Sequence, residues 1–305
     1  MESIQKHIAQ IGILALLLVT IGFLPDVSPS RAGRGSVTEN SSAGVSIEDI
    51  APRNGVELPV VWGDMGRKMI DAGVIDRDKF EALYQGRGGL TPAEKELLYG
   101  ITNKKLVITK ENSGIILNLL WALGLGNKNA VLENGPMQDK QYGGAGNFAS
   151  TGGWTLAKGD PEGEQAPYGA GAMNHYSAHS FIVLTSEQQK LVERVAKNIY
   201  RPCCGNSTYF PDCNHGMAML GLLELMASQG VGEENMYKAA LAVNSYWFPD
   251  TYITIAVYMK SKSIGWNNVS PREVLGVNYS SASGYRRILE KVNPPSNKNS
   301  ASCGQ

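Results

Sequence analysis

The sequence predicts a mainly α fold: a helical bundle interrupted by a long glycine-rich loop, with one or two short strands. Three observations carry that expectation. Apolar residues recur at three- and four-residue spacing along most of the chain, serine or threonine followed three residues later by glutamate or glutamine opens several of these runs, and glycine or proline closes them. At 305 residues the chain can bury a large core as one domain or two packed subdomains. The 28 basic and 28 acidic side chains cancel and lie scattered rather than in runs, which argues against nucleic acid as a partner.

Residues 1–32 read as an export signal. Residues 11–24 are an uncharged apolar run preceded by Lys6 and His7, and Ser30-Arg31-Ala32 fits a small-x-small cleavage site. Counted over 8–24, the run also reaches the lower limit for a membrane anchor, so membrane association through 8–24 is expected if it is not cleaved. Either way the rest of the chain is expected outside the cytoplasm, with its protein partner open. Residues 33–58, rich in Ser, Gly, Asn and Pro, read as a flexible linker.

An N-terminal helical subdomain is expected over 59–130. Structure begins near Pro59, followed by short helices over 64–72 and 76–84. Thr91-Pro92-Ala93-Glu94 is a capping box with proline at the first helical position. Residues 105–109 read as extended. A strong helix over 110–123, carrying Ile115, Ile116, Leu119, Leu120 and Leu123, is expected to end at Gly124.

Residues 131–180 form the glycine-rich region. Between 134 and 174 periodicity breaks, and glycines alternate with Phe148, Trp154 and Tyr168. A loop of this length is either a mobile surface insertion or a lid over a site. His175 and His179 would share a face on a helix and suit a metal. The apolar stretch after His179 reads better as a strand, which separates the rings by about 13 Å and leaves them as surface or hydrogen-bonded histidines.

A second helical subdomain, 181–292, carries most of the chemistry, and 293–305 is a polar tail. Helices are expected over 185–200, opened by Thr185 or Ser186 and stopped by Pro202, and over 217–229, apolar nearly all round and closed by Gly230. Further helices follow over 233–246, 250–259 and 285–292, with another capping box at Ser270. The loop between the first two holds Cys203, Cys204, Cys213 and His215; the fourth cysteine, Cys303, lies in the tail and can reach back over it. Cys213 stands at a helix N-terminus, whose partial positive charge favours thiolate. Cys203 and Cys204 follow a helix C-terminus and need an offset, from a metal, a disulfide or Arg201.

Three soft sulfurs and an imidazole in so short a loop suit zinc or Cu(I), with Cys303 as a further ligand. The spacing Cys-Cys-x8-Cys-x-His is not that of a zinc finger. Four cysteines outside the cytoplasm also suit two disulfides, although adjacent Cys203 and Cys204 would each have to look elsewhere, to Cys213 and Cys303. Met217, Met219 and Met226 lie at core spacing rather than as ligands.

Residues 185–248, with the cysteine loop and the turn Gly230-Val231-Gly232-Glu233-Glu234, resemble the three-helix domain of the thiol-oxidoreductase subunits of cytochrome c maturation, and also exported bacterial lipoproteins with a Pro-Cys-Tyr-Cys-Gly-Cys motif. That likeness implies a membrane-anchored protein with a redox cysteine pair, in which Cys203 or Cys204 matches the first cysteine. The chain departs from the pattern in having those two adjacent rather than two apart. Three functions follow: a soft-metal-binding protein; a thiol-disulfide oxidoreductase or assembly factor using Cys203, Cys204 or Cys213; and a disulfide-stabilised binding module without catalysis.

Overall fold

The computed structural model describes residues 44–159 and 170–293, and these hold fifteen α-helices and one two-stranded sheet, so the fold is mainly α. The apolar run at 11–24, Tyr168, and the tail with Cys303 lie outside the described residues. Among the described residues no helix is long and apolar enough to cross a membrane.

The chain takes up structure earlier than its composition suggests. Part of the stretch expected as linker forms helix α1 (Ile47–Ile50) and the start of strand β1 (Val56–Gly63). Ser46 and Asp49 make a capping box for α1, and Leu58, Val60 and Trp62 alternate into the core. Val45 and Ile50 are buried as well. These apolar residues are too thinly spread among polar ones to show a period, which is why the stretch reads as linker.

Next come α2 (Met65–Asp71), α3 (Arg77–Tyr84), and α4 (Pro92–Tyr99), which is opened by the expected Thr91–Glu94 capping box. Strand β2 (Thr102–Ile108) pairs antiparallel with β1 in a register that aligns Val56 with Ile108 and Gly63 with Thr102. The backbone of Val61 is met by the Gln229 side chain, which donates from Nε2 to its carbonyl and accepts at Oε1 from its N–H, both at 2.8 Å. One primary amide thereby satisfies a donor and an acceptor that the strand pairing leaves over.

Helix α5 (Ser113–Gly126) runs through Gly124 instead of ending there. The glycine serves packing. A Cβ at Gly124 would collide with the Met217 carbonyl, and one at Gly221 would come 2.5 Å from the Leu120 carbonyl oxygen, so the two glycines let the backbones of α5 and a later helix touch. From 130 to 152 the glycine-rich region is a string of short turns of helix, including α6 (Ala130–Asn134) and α7 (Ala149–Gly152), and α8 (Ala170–His175) follows. Trp154 does not cover a site. It lies in the core, its ring edge-on to Trp121 at 5.0 Å and its Nε1–H bonded to the Val74 carbonyl.

The remaining helices are α9 (Ser186–Ala196), α10 (Asn214–Ser228), α11 (Glu233–Trp247), α12 (Pro249–Ser261), α13 (Pro271–Val274), α14 (Val277–Ser280) and α15 (Ala282–Val292). Helix α9 opens on the expected Thr185–Gln188 box, and α10 is buried from Gly216 to Ala227, with Gly230 beyond it at φ +78°. Helix α10 is the partner that meets α5 at the two glycines. Its one buried charge, Glu224, is held by Nδ2 of Asn127 at 3.2 Å and by Nδ2 of Asn129. Asn127 Oδ1 in turn accepts from the Ile182 N–H, and Asn129 Oδ1 from the Val131 N–H and Gln189 Nε2. This polar knot joins the end of α5 to α9 and α10, and burial pushes the Glu224 carboxyl well above its ordinary range against the two amide bonds that oppose the shift.

Candidate functional site

The loop between α9 and α10 is folded over one buried arginine. Residues 199–200 turn back on 207–208: Tyr200 and Ser207 form an isolated bridge, and the Thr208 N–H and hydroxyl both donate to the Ile199 carbonyl. Arg201, 1 % exposed, fans its guanidinium into the space this creates. Its Nε donates to Cys213 Sγ at 3.0 Å, Nη1 to the Asn206 carbonyl at 3.0 Å, and Nη2 to the Phe210 carbonyl at 3.1 Å and Asp212 Oδ1 at 2.5 Å. Asn206 Nδ2 donates to the other Asp212 oxygen at 2.8 Å. A buried charge is costly unless paired and fully bonded, and here both conditions hold. Burial would weaken the Arg201 charge, yet Cys213, Cys204 and Asp212 together hold its pKa above the ordinary value. Gly216 is required beside it, since a Cβ there would lie 2.5 Å from Arg201 Cζ.

That arrangement aims three cysteines at one place. Cys213 is the residue before α10, where the helix dipole favours an anion. Cys203 Sγ lies 3.5 Å from Cys213 Sγ. Cys204 Sγ lies on the other side, 3.7 Å from Asp212 Oδ1, while its carbonyl accepts from the Ala282 N–H at the start of α15. Ligand atoms of Cys203, Cys213 and His215 lie within 4.8 Å of one another, and so do those of Cys204, Asp212 and Cys213. Cys213 belongs to both groups. Cys203, Cys204 and Cys213 are all free thiols.

The three sulfurs differ in acidity. Hydrogen bonds from Cys203, then Cys204, hold Cys213 far below the ordinary thiol range, helped by His215 and the Arg201 charge and opposed by burial. Cys203 moves the other way because it donates to Cys204 and Cys213 and is partly desolvated. Cys204 is pushed up to about 11: the bond from Cys203 lowers it, but its bond to Cys213 and its burial outweigh that. Arg201 bonds directly to Cys213, and its charge also lowers Cys204, one of the pair expected to need an offset.

His215 packs against Phe248 and Trp247, with ring centroids at 4.4 and 5.6 Å. Its Nδ1 is buried with no hydrogen-bond partner among the described residues. The glycine-rich region supplies part of the expected cover: Tyr142, tilted, and Phe148, edge-on, pack against Phe210 at 5.1 and 5.2 Å, and the Ser150 N–H donates to the Asp212 carbonyl. They brace the loop without sealing it, because Cys203 stays exposed.

The histidines His175 and His179 correct the expected separation. His175 ends α8, Ser177 turns the chain with φ +50°, and His179 bridges to Asn127 as an isolated pair instead of opening a strand. The rings therefore stack, with Nδ1 of His175 2.9 Å from Nε2 of His179. Burial lowers both pKa values, and for His175 the neighbouring His179 acts in the same direction.

Asp212 is not singled out by the sequence. The signal was there in the carboxylate next to Cys213, but nothing in its spacing from Arg201 announces the contact. Comparison with protein-family models, with curated proteins and with solved structures gave no match, so the site is read from its own geometry.

Proposed function

We propose that this is an exported protein that binds one soft metal ion, zinc or Cu(I), through Cys203, Cys213 and His215, with Cys204 as the fourth donor. The observation that carries the reading is the convergence of two sulfurs and an imidazole within 4.8 Å. Two metal–sulfur bonds of about 2.3 Å at the tetrahedral angle place their sulfurs about 3.8 Å apart. The 3.5 Å between Cys203 and Cys213 fits that edge and is far from a disulfide bond of about 2.05 Å. Metal binding needs thiolate, and Cys213 is already held in that form. His215 brings an imidazole to the same sulfurs, and its Nδ1 is buried without a hydrogen-bond partner among the described residues. Elemental analysis of protein purified under reducing conditions tests the reading. About one zinc or copper per chain, lost in Cys213→Ser, supports it; metal-free protein that takes up neither ion refutes it.

A second reading is favoured by the same sulfur pair, and it is the one the likeness to cytochrome c maturation subunits implies. Cys213 thiolate attacks a substrate disulfide, forming a mixed disulfide and expelling one substrate thiolate. Cys203, giving up its proton, then attacks Cys213 Sγ and expels the second, leaving a Cys203–Cys213 disulfide and a reduced substrate. Reversible two-electron titration of that pair, abolished in Cys203→Ser, would favour this reading over the metal.

A further inference from the structure

Helices α12, α13, α14 and α15 and the chain after α9, as far as Tyr200, line a cavity of about 690 Å³ that opens to solvent. That volume is within the range of small-molecule sites. Its charge is lopsided. Four cations line it against one carboxylate, Glu273, in a chain whose formal charges cancel. Three separate elements bring those cations together: Lys197 follows α9, Arg272 lies on α13, and Arg287 and Lys291 lie on α15.

Ordinary ion pairing does not account for them. Among the described residues Lys197, Arg287 and Lys291 have no carboxylate within ion-pair distance, and Arg272 reaches Glu233 only at 3.8 Å. Glu273 is engaged by the Tyr279 hydroxyl, which donates to it at 3.0 Å. Arg287 and Lys291 stand four apart on one helix face, a spacing at which like charges repel. The dipole at the end of α15 favours Lys291, but it does not explain Lys197 or Arg272 arriving from other elements. Tyr258 and Tyr279 also line it, half-buried and 6.3 Å apart, with the Lys291 ammonium 5.3 Å from the Tyr258 ring centroid, so cation and aromatic surface are presented side by side.

We propose that this cavity binds a small organic anion of at least two negative charges, of which a phosphate monoester is the type, with its charged end among Lys197, Arg272, Arg287 and Lys291 and its body against the tyrosines. The site is separate from the cysteine loop and does not depend on metal there.

Calorimetric titration of the full chain with phenyl phosphate, with inorganic phosphate and, separately, with vesicles of anionic phospholipid tests it. The expected result is binding of phenyl phosphate, tighter than inorganic phosphate, that weakens as chloride is raised. The double variant Arg287→Ala/Lys291→Ala, checked for an unchanged thermal midpoint, should weaken it by about tenfold or more, since it removes two charge-assisted contacts. No phenyl phosphate binding at millimolar concentration, equal binding by the double variant, or binding to vesicles alone would each overturn the assignment.

Discussion

Helix α10 is held in two different ways along its length. Its middle crosses α5 through glycine-to-glycine contact in a dry, apolar setting, where the fit of backbone to backbone decides everything. Its first turn opens on a polar loop in which one guanidinium satisfies two carbonyls, a carboxylate and a thiolate. The first region is specified by shape and tolerates no added atom. The second is specified by hydrogen bonds around a single charge, and its outermost sulfur is free of structural work. The difference separates what folds this protein from what reacts.

Several variants sharpen or break that separation. Gly221→Ala should have the largest effect, because its Cβ meets three backbone atoms of α5 with no flexible side chain to yield; a loss of about 3 kcal/mol or more in denaturant unfolding is expected. Arg201→Met comes next, at about 3 kcal/mol, since it strands Asp212 and Cys213 without their cation. Cys203→Ser, by contrast, should change stability by less than about 1 kcal/mol while removing metal uptake. Equal destabilisation by Arg201→Met and Cys203→Ser would erase the distinction.

The pH dependence divides along the same line. Glu224 has a raised pKa in the folded protein, so its contribution to stability is present below the ordinary value of 4.5 and is lost as pH rises above it. Glu224→Gln should remove that falling slope from the pH–stability curve. At the loop the sign is opposite: Cys213 stays thiolate at pH values where free thiols are protonated, so its alkylation by iodoacetamide should be nearly flat from pH 8 down to about 6, whereas Cys204 gains reactivity only toward about 11. Alkylation of Cys213 that falls about tenfold per pH unit over this range would contradict the account.

Much of this was legible in the sequence. The capping boxes at Thr91 and Thr185 and the buried α10 with Gly230 beyond it follow from local chemistry that tertiary packing reinforces, whereas the β-branched 250–259 stretch reads as helix only from its setting among helices. Gly124 was misread because a helix-ending glycine and a helix-crossing glycine look alike until the partner, Gly221, is known. The short spans at 47–50 and 56–63 bury too few residues in a row to reveal a period. His175 and His179 met because Ser177 takes a positive φ, which composition does not advertise. At the site, the ligand types could be read directly, but the role of Arg201 could not. Its contacts with residues 206 to 213 exist only once the loop has folded back on residues 199–200.

The most direct test of the central claim is titration of the reduced protein with Co(II), read by its absorption spectrum. The account predicts saturation at one ion per chain, with intense thiolate-to-metal charge-transfer bands and the visible bands of tetrahedral geometry, both lost in Cys213→Ser. A spectrum without thiolate bands at saturating cobalt, in protein whose Cys203, Cys204 and Cys213 are shown to be free thiols, would contradict it.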